Sequence, residues 1–541
     1  MEMQAKPQRS GRAAKRKSAA PALRARSFVL WGAVGVAGAC LALWVSAWLA
    51  RGTASAWPRF EDDAYYYLVI ARNVAAGRGF TVDGISLTNG FQPLWMWLLV
   101  PVAWLCSGDT HVLLGLAQVF VVLLTCVSGG LLFDLLRTTC GFRPACFGTA
   151  VLLVPPFLNV LVSGMEAALV LLVFLLLVRE LFAGGALERP EPRLRDLRAG
   201  VWLGLLLLAR LDAVFVAVAL AGNALLLGLL AGPASLVARI SRTARKSAVL
   251  FGPAVLMLVP YLLWNFERFG HLVPISGSLK TSFSNPEFVR ANVGLPWLAL
   301  LTLGAAGAGL ALARPSERRL GRLLVPLVAG LSLQALHAMW FMRWAVFAWH
   351  YVLFMPVGAV AAGVIARRLQ DLLPEIALRA GLGLVAWVLI VSQYASISRL
   401  HLAFTGATRE AGEWAAKTLP KDALFAMKDS GAFSYFSERG VVNLDGVVSS
   451  FQFQETLCRG ELQQYLDRHH VAYLVQHSVQ GLNEGFYDRF VLRYPCHFEG
   501  GHTSDLVVRR DQEVYRGSRY RDYLEHEDHL VIWKIAPDET P

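Results

Sequence analysis

The chain has 541 residues, of which 55% are hydrophobic and only 17% are charged, and its mean hydropathy is +0.46. This composition excludes an ordinary soluble protein and indicates an integral membrane protein. The net charge of +12 does not indicate a nucleic-acid partner, because most basic residues lie in the N-terminal tail or in short segments between apolar runs.

The first element is a basic tail at residues 1–27, which we predict to be cytoplasmic. The apolar run at 28–50 is longer than a signal-peptide core and predicts an uncleaved first membrane span. Ten more runs bring the prediction to about eleven transmembrane helices within residues 28–397. Their approximate positions are 111–136, 144–161, 167–183, 200–209, 213–231, 247–264, 295–313, 323–341, 351–366 and 380–397.

One apolar run, from Pro93 to Cys106, is too short for a full span and contains Pro101. We interpret it as an interfacial or re-entrant segment. With this run left out of the count, every strongly basic loop faces the cytoplasm. The outer side then carries residues 51–110, residues 265–294 and a C-terminal region at 398–541.

The C-terminal region has fewer apolar residues, and helical patterns alternate with short β-rich runs. This alternation predicts a small soluble α/β domain outside the cytoplasm. Cys458 and Cys496 lie in this region and are free to form a disulfide if it is extracytoplasmic. The predicted elements are a helix at 405–419, strands at 423–427 and 441–444, a helix at 461–469 and a strand at 471–475.

The outer loop at 51–110 contains three consecutive acids, Glu61, Asp62 and Asp63, followed closely by three tyrosines that include Tyr66. Adjacent acids repel one another, which raises at least one pKa and suits a general base or a cation ligand. The alternative interpretation is a solvated acidic loop that its aromatic residues anchor at the membrane surface.

Two further charged positions lie between apolar runs, and each has two interpretations. Glu166 forms either a capping box with Ser163 or a carboxylate inside a cavity. Arg210 and Asp212 interrupt an apolar stretch, where an unpaired charge costs roughly 2.5–3.5 kcal/mol. They therefore occupy a tight outer turn or line a cavity.

Three more residues are candidates near the outer surface. Lys280 follows small and hydroxylated residues in an outer loop, a setting that suits a phosphate. Arg343 and His350 flank the last outer turn of the membrane domain. A lone histidine between aromatic residues is more typical of the membrane interface than of catalysis.

Taken together, these segments resemble the GT-C superfamily of membrane glycosyltransferases. Within it, they are similar to bacterial relatives of mycobacterial arabinofuranosyltransferases and lipid A aminoarabinose transferases. The resemblance covers nearly the whole chain. Its motifs are EDDAYYY (61–67), TNGFQPLW (88–95), SGMEAAL (163–169), LARLDA (208–213), PISGSLK (274–280), the HY turn (350–351) and DSGAFSYFSERGVVNLDG (429–446).

The resemblance implies an inverting transfer of a sugar from a polyprenyl-phosphate donor to an extracytoplasmic glycan or glycolipid, at the bacterial cytoplasmic membrane. It assigns the catalytic base to Asp62, with Asp63 beside it. Donor-phosphate binding then falls to Lys280, Arg210, Arg343 and His350, and the acceptor cavity to Glu166, Tyr66, Asn89 and Gln92.

A cofactor is left open by the resemblance. One hypothesis is a divalent cation, Mg²⁺, Mn²⁺ or Ca²⁺, held by Asp63 and Glu166. The lipid A enzymes carry charged residues where this chain has Asn89 and Gln92, so their metal and phosphate contacts do not transfer directly. The alternative functions are a lipid-sugar flippase or transporter, and a noncatalytic envelope assembly protein.

Overall fold

The computed structural model describes most of the chain beyond residue 59. The described residues are Gly35, 60–106, 108–189, 191–230, 235–281, 295–342, Trp344, 346–398, 404–477, 489–496, 502–521 and 527–535. The predicted cytoplasmic tail at 1–27 and the predicted first span at 28–50 lie outside this part of the chain, apart from Gly35.

The described residues up to 398 form a helical bundle. Short 3₁₀ turns at Val151–Leu153, Leu211–Ala213 and Ala348–Tyr351 interrupt it. The α-helices are α1 (Asp62–Ala75), α2 (Pro93–Leu105), α3 (Thr110–Cys140), α4 (Phe142–Ala150), α5 (Pro155–Leu161), α6 (Ala167–Gly184), α7 (Leu194–Ala209), α8 (Val214–Leu230), α9 (Leu236–Phe269), α10 (Ile275–Lys280), α11 (Leu295–Leu312), α12 (Arg318–Phe341), α13 (Phe354–Leu372) and α14 (Glu375–Ser398).

Each predicted span within the described residues coincides with a helix or a helix pair. Six described segments are long and apolar enough to cross a membrane, and a bent pair makes a seventh. The protein is therefore a multi-pass membrane protein, but the predicted count of eleven spans is not confirmed. The six segments are Thr110–Cys140, Ala167–Gly184, Leu211–Leu230, Leu236–Phe269, Arg318–Phe341 and Glu375–Ser392.

The predicted span at 144–161 is not one straight helix. Phe142–Leu153 and Pro155–Leu161 form two segments that meet at 69°. Proline at the start of α5 explains the break, because it cannot donate a backbone hydrogen bond and disfavours helical geometry in the residue before it. Val154 is accordingly extended.

Helix α2 occupies the run that we interpreted as interfacial. Its 13 residues span only about 20 Å, too little for a bilayer core of about 30 Å. One face, including Trp95 and Leu99, is buried against the bundle, while Trp104 and Leu105 at its end are exposed. This length and this one-sided burial fit the interfacial interpretation.

The C-terminal region is the predicted α/β domain. Its helices are α15 (Phe404–Thr418), α16 (Gly431–Ser437), α17 (Phe451–Cys458) and α18 (Leu462–Arg468). Its strands are β1 (Leu424–Met427), β2 (Gly440–Asn443), β3 (Val471–Gln476), β4 (Arg489–Pro495), β5 (Thr503–Arg509), β6 (Glu513–Arg516), β7 (Tyr520–Arg521), β8 (Glu527–Asp528) and β9 (Val531–Lys534). Strands β1, β2 and β3 pair in parallel, β9 is antiparallel to β3, and the sheet order is β2-β1-β3-β9-β6.

All five C-terminal elements predicted above are present within one or two residues of their predicted bounds. Cys458 and Cys496 form a disulfide, which links the end of α17 to the residue after β4. A disulfide in this domain fits an extracytoplasmic location.

The C-terminal domain packs directly on the first-loop helix α1. A side chain on Gly431 would collide with the backbone oxygen of Asp62, and one on Gly90 would collide with the backbone oxygen of Val447. Glycine at both positions therefore permits close backbone contact. This packing brings α1, the segment after Asn89 and the C-terminal domain together around one site.

We expect this assembled end of the protein to face the outside of the cell. A cysteine introduced at the exposed Lys417 should react with a membrane-impermeant maleimide in intact cells. We expect a low background from the described cysteines outside the disulfide, because Cys106, Cys126 and Cys140 are buried and Cys146 is half-buried. Labelling that needs membrane permeabilisation would reverse the proposed orientation.

Candidate active site

A cavity of about 200 Å³ lies where the first loop, the bundle and the C-terminal domain meet. Its walls come from α1, the start of α6, the break between α7 and α8, α10, the end of α12 and the turn before α13. It brings together eight residues that the sequence analysis identified as candidates, which are Asp63, Tyr66, Gln92, Glu166, Arg210, Asp212, Lys280 and His350.

Asp63 lies in the first turn of α1 and lines the cavity. Its carboxylate accepts no hydrogen bond and forms no ion pair among the described residues. Burial raises the pKa of Asp63, as do the nearby acids Asp429 and Glu166, while Lys280 lowers it in part. A carboxylate of this kind can accept a proton closer to neutral pH than an ordinary aspartate.

Asp62, the neighbouring residue, has a different environment. Its two carboxylate oxygens accept hydrogen bonds from the backbone N–H groups of Gly431 and Ala432, each at 2.8 Å. It does not line the cavity. Asp62 thus fastens α1 to the start of α16, and this geometry favours Asp63 as the base. The assignment of Asp62 remains a prediction from the resemblance.

Glu166 does not form the capping box considered above. It precedes α6 without a side-chain capping bond, and the Ser163 hydroxyl donates to the Val160 carbonyl instead. The Glu166 carboxylate accepts from Arg210 at 2.6 Å and from the Tyr67 hydroxyl at 3.0 Å. Of the two interpretations of Glu166, the structure therefore agrees with a carboxylate inside a cavity.

Arg210 is buried at the break between α7 and α8, where it joins two carboxylates. Besides Glu166, it binds Asp212 through two hydrogen bonds of 3.0 and 2.7 Å. Because both acids already compensate its charge, Arg210 is poorly suited to hold a donor phosphate. Its contacts instead fix the cavity wall, and pairing explains how two charged groups lie within an apolar stretch.

Lys280 is the last residue of the short helix α10 and lines the cavity. It forms no ion pair among the described residues. Asn89 fixes this helix, because its side-chain oxygen accepts from the Ile275 N–H at 3.0 Å and its amide donates to Asn265 at 3.1 Å. Asn89 itself does not line the cavity, so the structure gives it a supporting position rather than direct access to a substrate.

Two glutamines that line the cavity, Gln92 and Gln334, each have a buried side-chain oxygen that lacks a hydrogen-bond donor among the described residues. The Gln334 amide N–H₂ donates to Asp212 and to the His350 carbonyl, which leaves its oxygen available. Buried acceptors without a donor are costly, and a polyhydroxylated ligand can supply the missing donors.

His350 belongs to the 3₁₀ turn before α13. Burial, together with the nearby cations Arg210 and Lys280, lowers the pKa of His350 to about 3. The ring is therefore neutral near pH 7 and cannot act as a cationic phosphate ligand. Arg343, the other predicted phosphate ligand near this turn, lies outside the described residues.

Tyr66 links the cavity to the C-terminal domain. Its hydroxyl accepts from the Ser430 backbone N–H at 2.7 Å and from the Asn443 side chain at 2.9 Å. Sequence reasoning missed three participants, Tyr67, Gln334 and the valine pair Val447–Val448. Only Tyr67 carried a signal, since it belongs to the same EDDAYYY motif.

The hypothesis of a divalent cation between Asp63 and Glu166 does not fit these residues. Both Glu166 oxygens are engaged by Arg210 and Tyr67, and Arg210 would repel a cation. No group of three or more His, Cys, Asp or Glu residues suited to a metal occurs in the described ranges. We therefore derive no chemical step through a metal.

Residues 396–526 match the model of a domain of unknown function, DUF8728. No curated protein matches the chain.

Among solved structures, an oligosaccharyltransferase from Archaeoglobus fulgidus, crystallised with zinc and sulfate, has a TM-score of 0.51 at 14% identity. The match covers 81% of this chain and 67% of that chain. ArnT from Cupriavidus metallidurans in its apo state has a TM-score of 0.46 at 13% identity over 92% of this chain and 97% of that chain. The second similarity is too low to support a conclusion.

The similarity to the oligosaccharyltransferase extends over most of the chain and thus includes the helical bundle. The chain therefore shares the fold of that oligosaccharyltransferase over most of its length, in agreement with the fold that the motif resemblance implies.

Proposed function

We propose that the protein is a membrane glycosyltransferase that moves a sugar from a polyprenyl-phosphate donor to an extracytoplasmic glycan or glycolipid. The observation that carries this proposal is the composition of the cavity. An unpaired carboxylate, Asp63, and an unpaired ammonium, Lys280, share it with the available amide oxygens of Gln92 and Gln334.

In this proposal Asp63 accepts the proton of the acceptor hydroxyl. The hydroxyl oxygen bonds to the anomeric carbon of the donor sugar while the bond between that carbon and the phosphate oxygen breaks. Attack opposite the leaving group inverts the anomeric configuration. The proton resides on Asp63, and the electron pair leaves with the polyprenyl phosphate.

Lys280 would stabilise the charge that develops on the leaving phosphate. The amide oxygens of Gln92 and Gln334 would accept hydrogen bonds from sugar hydroxyls, and Val447–Val448 would bring the C-terminal domain to the acceptor side. The proposed setting is the bacterial inner membrane, with the N-terminus cytoplasmic and the C-terminal domain outside.

The role of Lys280 has a direct test. We expect Lys280→Ala to raise the apparent KM for the polyprenyl-phosphate sugar by about tenfold, because a charge-assisted hydrogen bond to phosphate contributes roughly 1.5–3 kcal/mol. The apparent KM for the acceptor should change little. Initial rates measured with purified protein in nanodiscs, with each substrate varied in turn, check both values.

Lys280→Arg serves as the matched control because it keeps the positive charge. It should retain more donor affinity than Lys280→Ala. Equal and small changes for donor and acceptor in the alanine variant would assign Lys280 to the cavity surface without a phosphate contact.

A further inference from the structure

A second cavity, of about 430 Å³, lies at the opposite end of the bundle. It is lined by the first turns of α9, the start of α12, the ends of α8 and α11, and the segment 186–189 after α6. Helix α9 runs from this cavity to the other end of the bundle. Thr243 lines the cavity, whereas Asn265 contacts Asn89 of the first loop. Thr243 and Asn265 are 22 positions apart on the helix, a rise of about 33 Å, which is close to the thickness of a bilayer core.

The lining of this cavity is strongly cationic. It contains five cationic side chains and one acid, Glu188. The cations are Arg189, Arg239, Arg242, Lys246 and Arg322.

Three of these cations already have carboxylate partners. Asp196 pairs with Arg189 at 3.2 Å and with Lys246 at 3.8 Å, and Glu188 pairs with Arg322 at 3.4 Å.

The other two cations, Arg239 and Arg242, form no ion pair among the described residues. Their described hydrogen bonds go only to the backbone carbonyls of Leu229 and Ala238. The undescribed positions nearest in sequence, 190 and 231–234, are Pro and Ala-Gly-Pro-Ala and contain no acid. Two positive charges in a cavity therefore have no anion within this region of the chain.

Hydrogen-bond donors in the same cavity are also unsatisfied. Arg239 Nε and Asn223 Nδ2 are buried and have no acceptor among the described residues. Leaving a buried donor unpaired costs about 1–3 kcal/mol. The missing partner is an acceptor, and beside two unpaired cations an anionic oxygen suits it best.

Apolar surface beside the cavity indicates what carries this anion. Leu227 and Leu230 form part of the lining, and Leu230 is 70% exposed. Towards the bilayer core, Leu225 and Leu226 of α8 and Val255 and Leu256 of α9 are each more than half exposed. These side chains belong to helices long and apolar enough to cross the membrane, so acyl chains can pack along them.

We propose that this cavity binds the phosphate headgroup of an anionic phospholipid from the membrane leaflet opposite the C-terminal domain. The phosphate oxygens accept from Arg239 and Asn223, Arg242 supplies a second charge, and the acyl chains follow the exposed faces of α8 and α9. Basic pockets between transmembrane helices are suited to such headgroups. The site is separate from the proposed sugar-transfer cavity.

Native mass spectrometry of the purified full-length protein in detergent tests this proposal. The probes are phosphatidylglycerol and phosphatidylcholine with identical acyl chains, and inorganic phosphate as a soluble competitor. We expect phosphatidylglycerol to bind at least about tenfold more tightly than phosphatidylcholine. Millimolar inorganic phosphate should not displace it, because the acyl chains contribute to affinity.

The Arg239→Gln/Arg242→Gln variant removes the two unpaired charges. Each cation near the membrane surface contributes about fivefold to the affinity for an anionic lipid, so phosphatidylglycerol should bind roughly 25-fold more weakly to this variant. Arg195→Gln/Arg198→Gln removes two charges near the start of α7 outside the cavity, and its affinity should stay within about twofold. An equal loss of phosphatidylglycerol affinity in the two variants would show that any surface charge has the same effect, and it would overturn the proposal.

Asn223→Leu provides a second variant in case the double arginine variant does not fold. Its buried amide has an unpaired donor, so an apolar side chain of similar size should not destabilise the protein. We expect it to lower phosphatidylglycerol affinity by about threefold or more. Equal binding of the two lipids, full displacement by inorganic phosphate, or unchanged affinity in Asn223→Leu would each contradict the proposal.

Discussion

The Asp63→Asn variant is expected to transfer sugar at least about a hundredfold more slowly than the wild-type protein while it folds normally. The rate falls because an amide cannot accept the proton of the acceptor hydroxyl. Folding is retained because the Asp63 carboxylate makes no hydrogen bond or ion pair with the described residues. Transfer from a polyprenyl-phosphate sugar in nanodiscs measures the rate, and thermal unfolding measures folding.

Asp62→Asn is the matched comparison, one residue away. Its carboxylate accepts two backbone N–H groups from the C-terminal domain. An asparagine side chain can replace only one acceptor oxygen and turns an N–H₂ group toward the other N–H. We therefore expect Asp62→Asn to lower the unfolding temperature more than Asp63→Asn does. A stable Asp62→Asn protein without activity, beside an active Asp63→Asn protein, would return the catalytic assignment to Asp62.

The pH dependence gives an independent readout of the same residue. Because the base must be ionised and burial raises the pKa of Asp63, transfer should decline as the pH falls through that raised pKa. The decline should begin at a higher pH than for an ordinary aspartate. In Asp63→Asn the residual activity should lose this acidic limb, whereas an unchanged limb would assign it to another group.

The second large effect is expected from Arg210→Met. This change deprives both Glu166 and Asp212 of the guanidinium that pairs with them. Breaking a buried ion pair in this way typically costs about 3–5 kcal/mol of unfolding free energy. Unfolding titrations in mixed micelles of mild detergent and SDS measure the change.

An exposed ion pair provides the control for Arg210→Met. Arg379 pairs with Glu375 one helical turn away at the surface of α14. Arg379→Met should have little measurable effect, because exposed pairs contribute little. Adding Glu166→Gln and Asp212→Asn to Arg210→Met should recover part of the lost stability. Equal stability of Arg210→Met and Arg379→Met would show that the buried network does not hold the cavity wall.

The sequence predicted much of the bundle, because the length of an apolar run indicates directly whether a helix can cross the membrane. It did not predict the bend between α4 and α5, where Pro155 divides one apolar run into two segments. In the C-terminal domain, the local patterns predicted β1, β2 and β3, which form one parallel group. Strands β4 to β9 were not predicted.

At the candidate site, the sequence predicted individual residues but not the contacts between residues that are far apart in the chain. Asp63, Glu166, Arg210 and Lys280 were recognisable because charged residues are rare near apolar segments. Their pairing was not, since Tyr67 and Glu166 are 99 positions apart and Gln334 and Asp212 are 122 apart. Nothing in the local sequence distinguishes Asp62 from Asp63, whose different environments arise only when the C-terminal domain packs on α1.

The central claim is that the cavity around Asp63 transfers a sugar to a glycan or glycolipid of the cell envelope. Its most direct test is structural analysis of these glycans from cells that lack the gene, complemented with either the wild-type protein or Asp63→Asn. We predict that one sugar residue is missing without the gene, returns with the wild-type protein and stays missing with Asp63→Asn. Unchanged envelope glycans in the deletion strain, or full restoration by Asp63→Asn expressed at the wild-type level, would contradict the claim.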